Sequence, residues 1–167
     1  SMQKRTDERK YEFEPRMEDS LCTACGICTG SCVSSSPFRM GKGTLKSGIE
    51  MPWYGADDLR NKTKNGLAAL KGESKVVVFG CENGLKTEKL KDSGVATVVM
   101  PCVGMLPPTL LDYALKNGAD GVFITGCREG DCFQRFGNRW TDDRLKGERE
   151  PSLLKRTDRE KLVVFWG

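Results

Sequence analysis

Three short runs decide the fold: Lys75-Val76-Val77-Val78-Phe79-Gly80-Cys81, Val95-Ala96-Thr97-Val98-Val99-Met100-Pro101-Cys102 and Gly121-Val122-Phe123-Ile124-Thr125-Gly126-Cys127. Each is rich in β-branched and aromatic side chains, which suit a pleated, half-buried surface, and each ends at a cysteine. They predict strands over residues 75–80, 95–100 and 121–126, and residues 161–166 repeat the composition without the cysteine. The spacers have helix length. Residues 82–91 are polar and closed by Gly94. Residues 108–117 open on Pro108, place Leu110, Leu111, Ala114 and Leu115 on one face and end before Gly118, which suits a helix C-cap. Residues 127–160 have room for loop plus helix. This alternation predicts an α/β fold with a small parallel sheet and right-handed crossover helices.

The strands give the cysteines a direction. If they are parallel and adjacent, Cys81, Cys102 and Cys127 all emerge at the carboxyl edge of the sheet, where open α/β sheets place their ligand sites. Cys132, five residues past Cys127, can loop back to join them. Four converging thiolates can hold a 2Fe-2S cluster or an all-thiolate zinc ion. Buried core cysteines or redox thiols are the remaining reading, since free Cys is among the most buried residue types.

Upstream, Leu21-Cys22-Thr23-Ala24-Cys25-Gly26-Ile27-Cys28-Thr29-Gly30-Ser31-Cys32 spells C-x-x-C-x-x-C-x-x-x-C. Three thiolates at this spacing can wrap three irons of a cubane, while Gly26 and Gly30 let the backbone turn closely around the sulfides. Zinc sites use two separated pairs, and a disulfide between such close neighbours is strained, so the spacing reads as a 4Fe-4S site. It resembles bacterial ferredoxin motifs, with Val33 where that family has proline. Cys32 either closes this cluster or serves one held by a further motif upstream.

The chain has 167 residues, eight cysteines and no histidine. The missing histidine excludes Ser-His and Cys-His nucleophiles, histidine-ligated zinc, haem with a proximal histidine and Rieske clusters. A net charge of +4 from 27 basic and 23 acidic residues is too diffuse to argue for nucleic acid. No apolar run approaches the ~18 to 20 residues that span a bilayer, and the charged N-terminus is not a signal peptide. Free thiols without a secretion signal favour a reducing compartment, the cytoplasm.

The expected organisation is a charged lead-in at 1–19, a ferredoxin-like module and linker at 20–54, a connecting helix at 55–74 and an α/β domain at 75–167. The helix is expected over residues 57–70, with Leu59, Leu67 and Leu70 as its apolar positions. The chain stops at Gly167 just as its last strand ends, which reads as a truncated C-terminus. Gly41-Lys42-Gly43-Thr44 lacks the spacing of a phosphate loop, and no G-x-G-x-x-G follows a strand.

Phe79-Gly80-Cys81, Pro101-Cys102-Val103-Gly104-Met105-Leu106-Pro107, Gly118-Ala119-Asp120-Gly121-Val122, Gly126-Cys127-Arg128-Glu129-Gly130-Asp131-Cys132 and Phe136-Gly137-Asn138 together resemble the delta subunit of methyl-viologen-reducing hydrogenase. The resemblance covers residues 75–167. It implies that Cys81, Cys102, Cys127 and Cys132 hold a 2Fe-2S cluster. It further implies electron transfer from a hydrogenase or another dehydrogenase to a flavin-containing, heterodisulfide-reductase-like partner, in which bifurcation can occur. On this reading the chain is an electron-transfer subunit rather than a stand-alone catalyst, and the two-electron chemistry belongs to the partner. Two alternatives remain: a zinc-stabilised interaction module with one redox-active 4Fe-4S cluster, and a redox dithiol at Cys127 and Cys132. Around the second set, Arg128, Arg135 and Arg139 are candidate cations for raising a potential, and Glu129 and Asp131 oppose them. Trp140, Phe133 and Phe136 could shield a cluster from water, but core packing is the role expected of them, as it is of Met100 and Met105.

Overall fold

The computed structural model describes residues 2–4, 6, 12–15, 18–31, 54–90 and 92–167. Within the charged lead-in, β1 (Met2–Lys4) pairs antiparallel with β2 (Phe13–Pro15), a ladder that leaves Phe13 half exposed. A short helix, α1 (Ile27–Ser31), follows the first cysteines, and α2 (Ala56–Ala69) replaces the expected helix with a shift of one residue. Helix α2 is capped by the Asp58 carboxylate, which accepts the Gly55 N–H at 2.8 Å. Its buried face carries Leu59 and Thr63, with Leu67 packed against the core. Gly66 brings that face close to the sheet, since a Cβ there would stand 3.1 Å from the Ala96 methyl.

The main sheet contains β3 (Val76–Cys81), β4 (Val95–Met100), β5 (Gly121–Gly126) and β6 (Leu162–Trp166) in the order β4-β3-β5-β6, all pairs parallel. The four expected strands are present within one residue of their expected bounds. Strand β3 lies inside the sheet and is apolar throughout its length, because both of its faces are covered and Val77, Val78 and Phe79 are buried. Strand β4, at one edge, alternates instead, with Ala96, Val98 and Met100 inward. The other edge strand, β6, leaves Val163, Val164 and Phe165 exposed.

Helix α3 (Pro108–Lys116) starts on the expected proline, and Gly118 sits just beyond its cap at φ 102°, the left-handed conformation that stops a helix. Helix α4 (Gly137–Lys146) ends the same way on Gly147 at φ 90°. Its buried stripe is Gly137, Asn138, Thr141, Arg144 and Leu145.

The helix expected over residues 82–91 is not formed. A tight turn from Cys81 to Gly84 and a 3-10 turn at Thr87–Lys89 make the crossover. Leu85 and Leu90 are exposed, so this stretch has no apolar face to bury against the sheet. Tertiary packing also fixes it at both ends. Gly84 lies against the Gly126 backbone, where a Cβ would meet it at 2.6 Å, and Thr87 fills the space beside Gly80. The linker expected before residue 54, and with it Gly41 to Thr44, lies outside the described residues.

Candidate functional site

The chain leaves β3 to form β4 on one side and returns to form β5 on the other. The carboxyl ends of β3 and β5 are therefore a topological switch point, where loops diverge and open a crevice. Cys81 ends β3 and Cys127 follows β5, and their Sγ atoms stand 3.7 Å apart. Two thiolates on one tetrahedral metal at about 2.3 Å would stand roughly 3.8 Å apart, so this pair has the spacing of one edge of a metal-thiolate tetrahedron. The Cys127 thiol also faces the Asn83 carbonyl oxygen at 3.7 Å. Burial raises the Cys127 pKa against the opposing Phe133 amide, and the neighbouring Cys81 adds to the rise.

Cys102 and Cys132 meet at Gly137. A Cβ on Gly137 would collide with Cys102 Sγ, so the first residue of α4 must be bare for that sulfur to fit, and Cys132 Sγ lies at ordinary contact distance, 3.5 Å, from the same point. The Gly104 N–H donates to Cys102 Sγ at 3.4 Å. Burial nevertheless pushes the Cys102 thiol up to about 12, with the charges of Cys132, Cys81 and Cys25 adding to the rise. Asn138 holds the next loop in place, its Nδ2 donating to the carbonyls of Cys127 at 3.2 Å and Arg128 at 3.3 Å. Among the described residues no three ligating side chains gather at single-ion spacing. Cys81 and Cys127 come together as a pair, and Cys102 and Cys132 both border Gly137.

The segment that carries the first cysteines packs against the turn that follows Cys102. Cys22 is exposed, while Cys25 and Cys28 are partly covered. The backbone winds round them through two left-handed residues, Ala24 at φ 57° and Gly26 at φ 71°, and the Ala24 N–H points at Cys22 Sγ at 3.4 Å. The same winding turns amide N–H groups toward sulfur, as a negatively charged thiolate cluster requires. Burial also raises the Cys28 pKa, the hydrogen bonds of Thr29 oppose it, and the charges of Cys25 and Cys22 add to it.

Helix α1 then packs on the 3-10 turn Val103–Met105 that follows Cys102. Here a Cβ on Gly26 would meet Met105 Sδ at 2.7 Å, and one on Gly104 would meet Ile27 Cγ1 at 2.5 Å. Cys32 lies outside the described residues. A cleft of about 430 Å³ opens beside these segments, lined on one side by Thr23 and Ala24 and on the other by Glu82, Asn83, Pro101 and Phe133.

The surroundings differ in part from the expectation. Met100 and Met105 are core residues with no exposed surface. Phe133 and Phe136 are not, at 71% and 44% exposure, because the loop after Cys132 runs over the surface and Phe136 stacks on the half-buried Trp140 instead. Arg128, Arg135 and Arg139 are solvent-exposed, as are Glu129 and Asp131. The cation that reaches the interior is Arg144, with no exposed surface, on the inward stripe of α4. Its sequence signal is an arginine at helical spacing from Gly137 and Thr141, where the periodicity calls for an apolar residue.

These features suit a thiolate-held metal group: a sulfur pair at tetrahedral spacing, a third sulfur accommodated by a missing Cβ with Cys132 beside it, and amides directed at sulfur. An open parallel α/β sheet with paired thiols on its carboxyl edge is the class of domain that the fold and site define. Residues 76–166 match the family described as methyl-viologen-reducing hydrogenase, delta subunit, and the chain belongs to that family. It is similar to the iron-sulfur subunit of the F420-non-reducing hydrogenase of Archaeoglobus profundus, 48% identical over 44 residues that cover 26% of this chain and 32% of the relative. It is also similar to the iron-sulfur subunit of the F420-non-reducing hydrogenase vhc of Methanococcus voltae, 37% identical over 75 residues, 40% of this chain and 51% of the relative. The matched stretches thus span about a third and a half of those relatives' lengths. Among the described residues no helix is long and apolar enough to cross a membrane.

Proposed function

We propose that the chain is an iron-sulfur electron relay. Cys22, Cys25, Cys28 and Cys32 hold a 4Fe-4S cluster in a ferredoxin-like module at 20–54. Cys81, Cys102, Cys127 and Cys132 hold a 2Fe-2S cluster on the domain at 75–167. Single electrons pass between a hydrogenase-like or other dehydrogenase donor and a flavin-containing, heterodisulfide-reductase-like partner in the cytoplasm.

The observation that carries this reading is the seating of α1, which follows the first cysteines, on the Val103–Met105 turn, which follows Cys102. A docking platform has no use for two thiol sets held against each other, whereas a relay depends on their proximity. The iron-sulfur names of the relatives point the same way. The approach of Cys81 to Cys127, with Cys102 and Cys132 both bordering Gly137, suits two metals sharing four ligands.

The test is iron and acid-labile sulfide on anaerobically produced protein, with electron paramagnetic resonance after reduction. About six irons and six sulfides per chain are expected. About four irons with zinc in the remainder would overturn the second cluster and leave the larger domain as a zinc-stabilised interaction module.

A further inference from the structure

Arg144 has no exposed surface and no carboxylate within ion-pair distance among the described residues. Its hydrogen bonds go only to neutral groups: Nη1 donates to the carbonyls of Gly104 at 3.0 Å and Leu106 at 3.4 Å, and Nη2 donates to Ser31 Oγ at 2.8 Å. Nε has no hydrogen-bond partner among the described residues. An isolated buried charge costs several kcal/mol unless something of opposite sign compensates it. A guanidinium stays protonated in a protein even when buried, so the charge has to be balanced where it stands. Its carbonyl partner Gly104 is the residue whose N–H faces Cys102 Sγ, and its hydroxyl partner Ser31 adjoins Cys32.

We infer that Arg144 is the built-in counter-cation and positioning residue of the cluster sites, supplying fixed positive charge beside the Cys102 thiolate while fastening α1 of the first cysteine segment to the second. The inference rests on the relay reading. Four thiolates and the irons they hold carry net negative charge, which is the compensation Arg144 lacks. One electron arriving from the protein donor adds one negative charge there and makes or breaks no bond, so a fixed cation favours the reduced state. The exposed Arg128, Arg135 and Arg139 act through water and are screened.

The test is a potentiometric titration of the anaerobically prepared chain, followed by electron paramagnetic resonance, on Arg144→Met, Arg144→Lys and Ser31→Ala. Arg144→Met is expected to keep its iron and shift the reduction equilibrium of the second site at least tenfold toward the oxidised form, about 59 mV for one electron. Arg144→Lys, which keeps the charge, is expected to stay within threefold of the parent. Ser31→Ala is expected to leave the second site unshifted. An Arg144→Met protein with full iron and unchanged potential overturns the assignment, as does an Arg144→Lys protein shifted as far as the methionine variant. Should the methionine variant fail to fold, Arg144→Gln replaces it with the same expectation. Failure of both neutral variants with an intact, unshifted lysine variant supports the charge role, and failure of all three overturns it. A parent chain with no reducible iron signal refutes the relay reading itself, a result distinct from any of these.

Discussion

Gly30 and Gly104 touch backbone to backbone: a Cβ on Gly30 would stand 2.5 Å from the Gly104 carbonyl oxygen. That carbonyl also accepts from Arg144 Nη1, so one peptide group meets both α1 and the buried guanidinium. Gly30→Ala keeps helical geometry and gains helix propensity, yet pushes α1 off the Val103–Met105 turn. The expected result is a main domain with an unchanged urea midpoint and a several-fold faster alkylation of Cys28 in the metal-free chain. An unchanged alkylation rate would show that the contact does not hold the segment.

Gly137→Ala separates folding from metal binding. Alanine at the first turn of α4 favours the helix by up to about 1 kcal/mol, while its methyl intrudes on Cys102 Sγ. The metal-free chain is expected still to unfold cooperatively, with a thermal midpoint somewhat below the parent's because the methyl overpacks the buried sulfur. The iron content after loading is expected to fall by about two per chain, with the signal of the first site retained. Full iron content in this variant would mean that Cys102 and Cys132 do not share the space beside Gly137 when loaded.

Much of the α/β domain is legible in the sequence because its strands are nearly pure β-branched runs. Val76 to Phe79 in β3 has both faces buried, and nothing polar interrupts it. The cysteines of the sheet edge are legible for the same reason, since a residue just past a parallel strand has only one place to go. The crossover at 82–91 is not legible, because Gly84 and Thr87 take their positions from the distant Gly126 and from Gly80 rather than from local propensity. Arg144 is not legible either. Charge on a helix normally faces water, and only the carbonyls of Gly104 and Leu106, some forty residues upstream, explain why this one turns inward. The exposed Phe133 and Phe136 show the converse, since aromatic character alone says nothing about which way a surface loop runs.

Phe79 and Phe165 offer a contrast in burial within one sheet. Phe79 is wholly buried in β3, and Phe165 is half exposed on the edge strand β6. Phe79→Ala is expected to cost about 3 to 5 kcal/mol in urea unfolding, a large share of a typical domain's 5 to 15 kcal/mol. Phe165→Ala is expected to cost under about 1 kcal/mol in the same measurement. Equal losses would mean that β6 is covered in solution.

Asp112 on α3 ties the helix to the segment after α4. Its carboxylate is 2.9 Å from Lys116 Nζ and 3.3 Å from Arg156 Nη2, and it accepts from Thr157 Oγ1 at 3.4 Å. Burial alone would raise its pKa, but the bonds and charges of Lys116 and Arg156 outweigh that and hold it below the usual carboxylate value. A carboxyl depressed in the folded state stabilises the fold above its unfolded pKa of about 4 and loses that contribution as pH falls through the lower folded value. Asp112→Asn removes both ion pairs while leaving an oxygen for Thr157. At pH 7 it is expected to cost about 1 kcal/mol, since both cationic partners are largely solvated. The gap between parent and variant should then close as unfolding is measured at successively lower pH from about 4 downward. A gap that stays constant to pH 2 would show that the asparagine perturbs packing rather than charge.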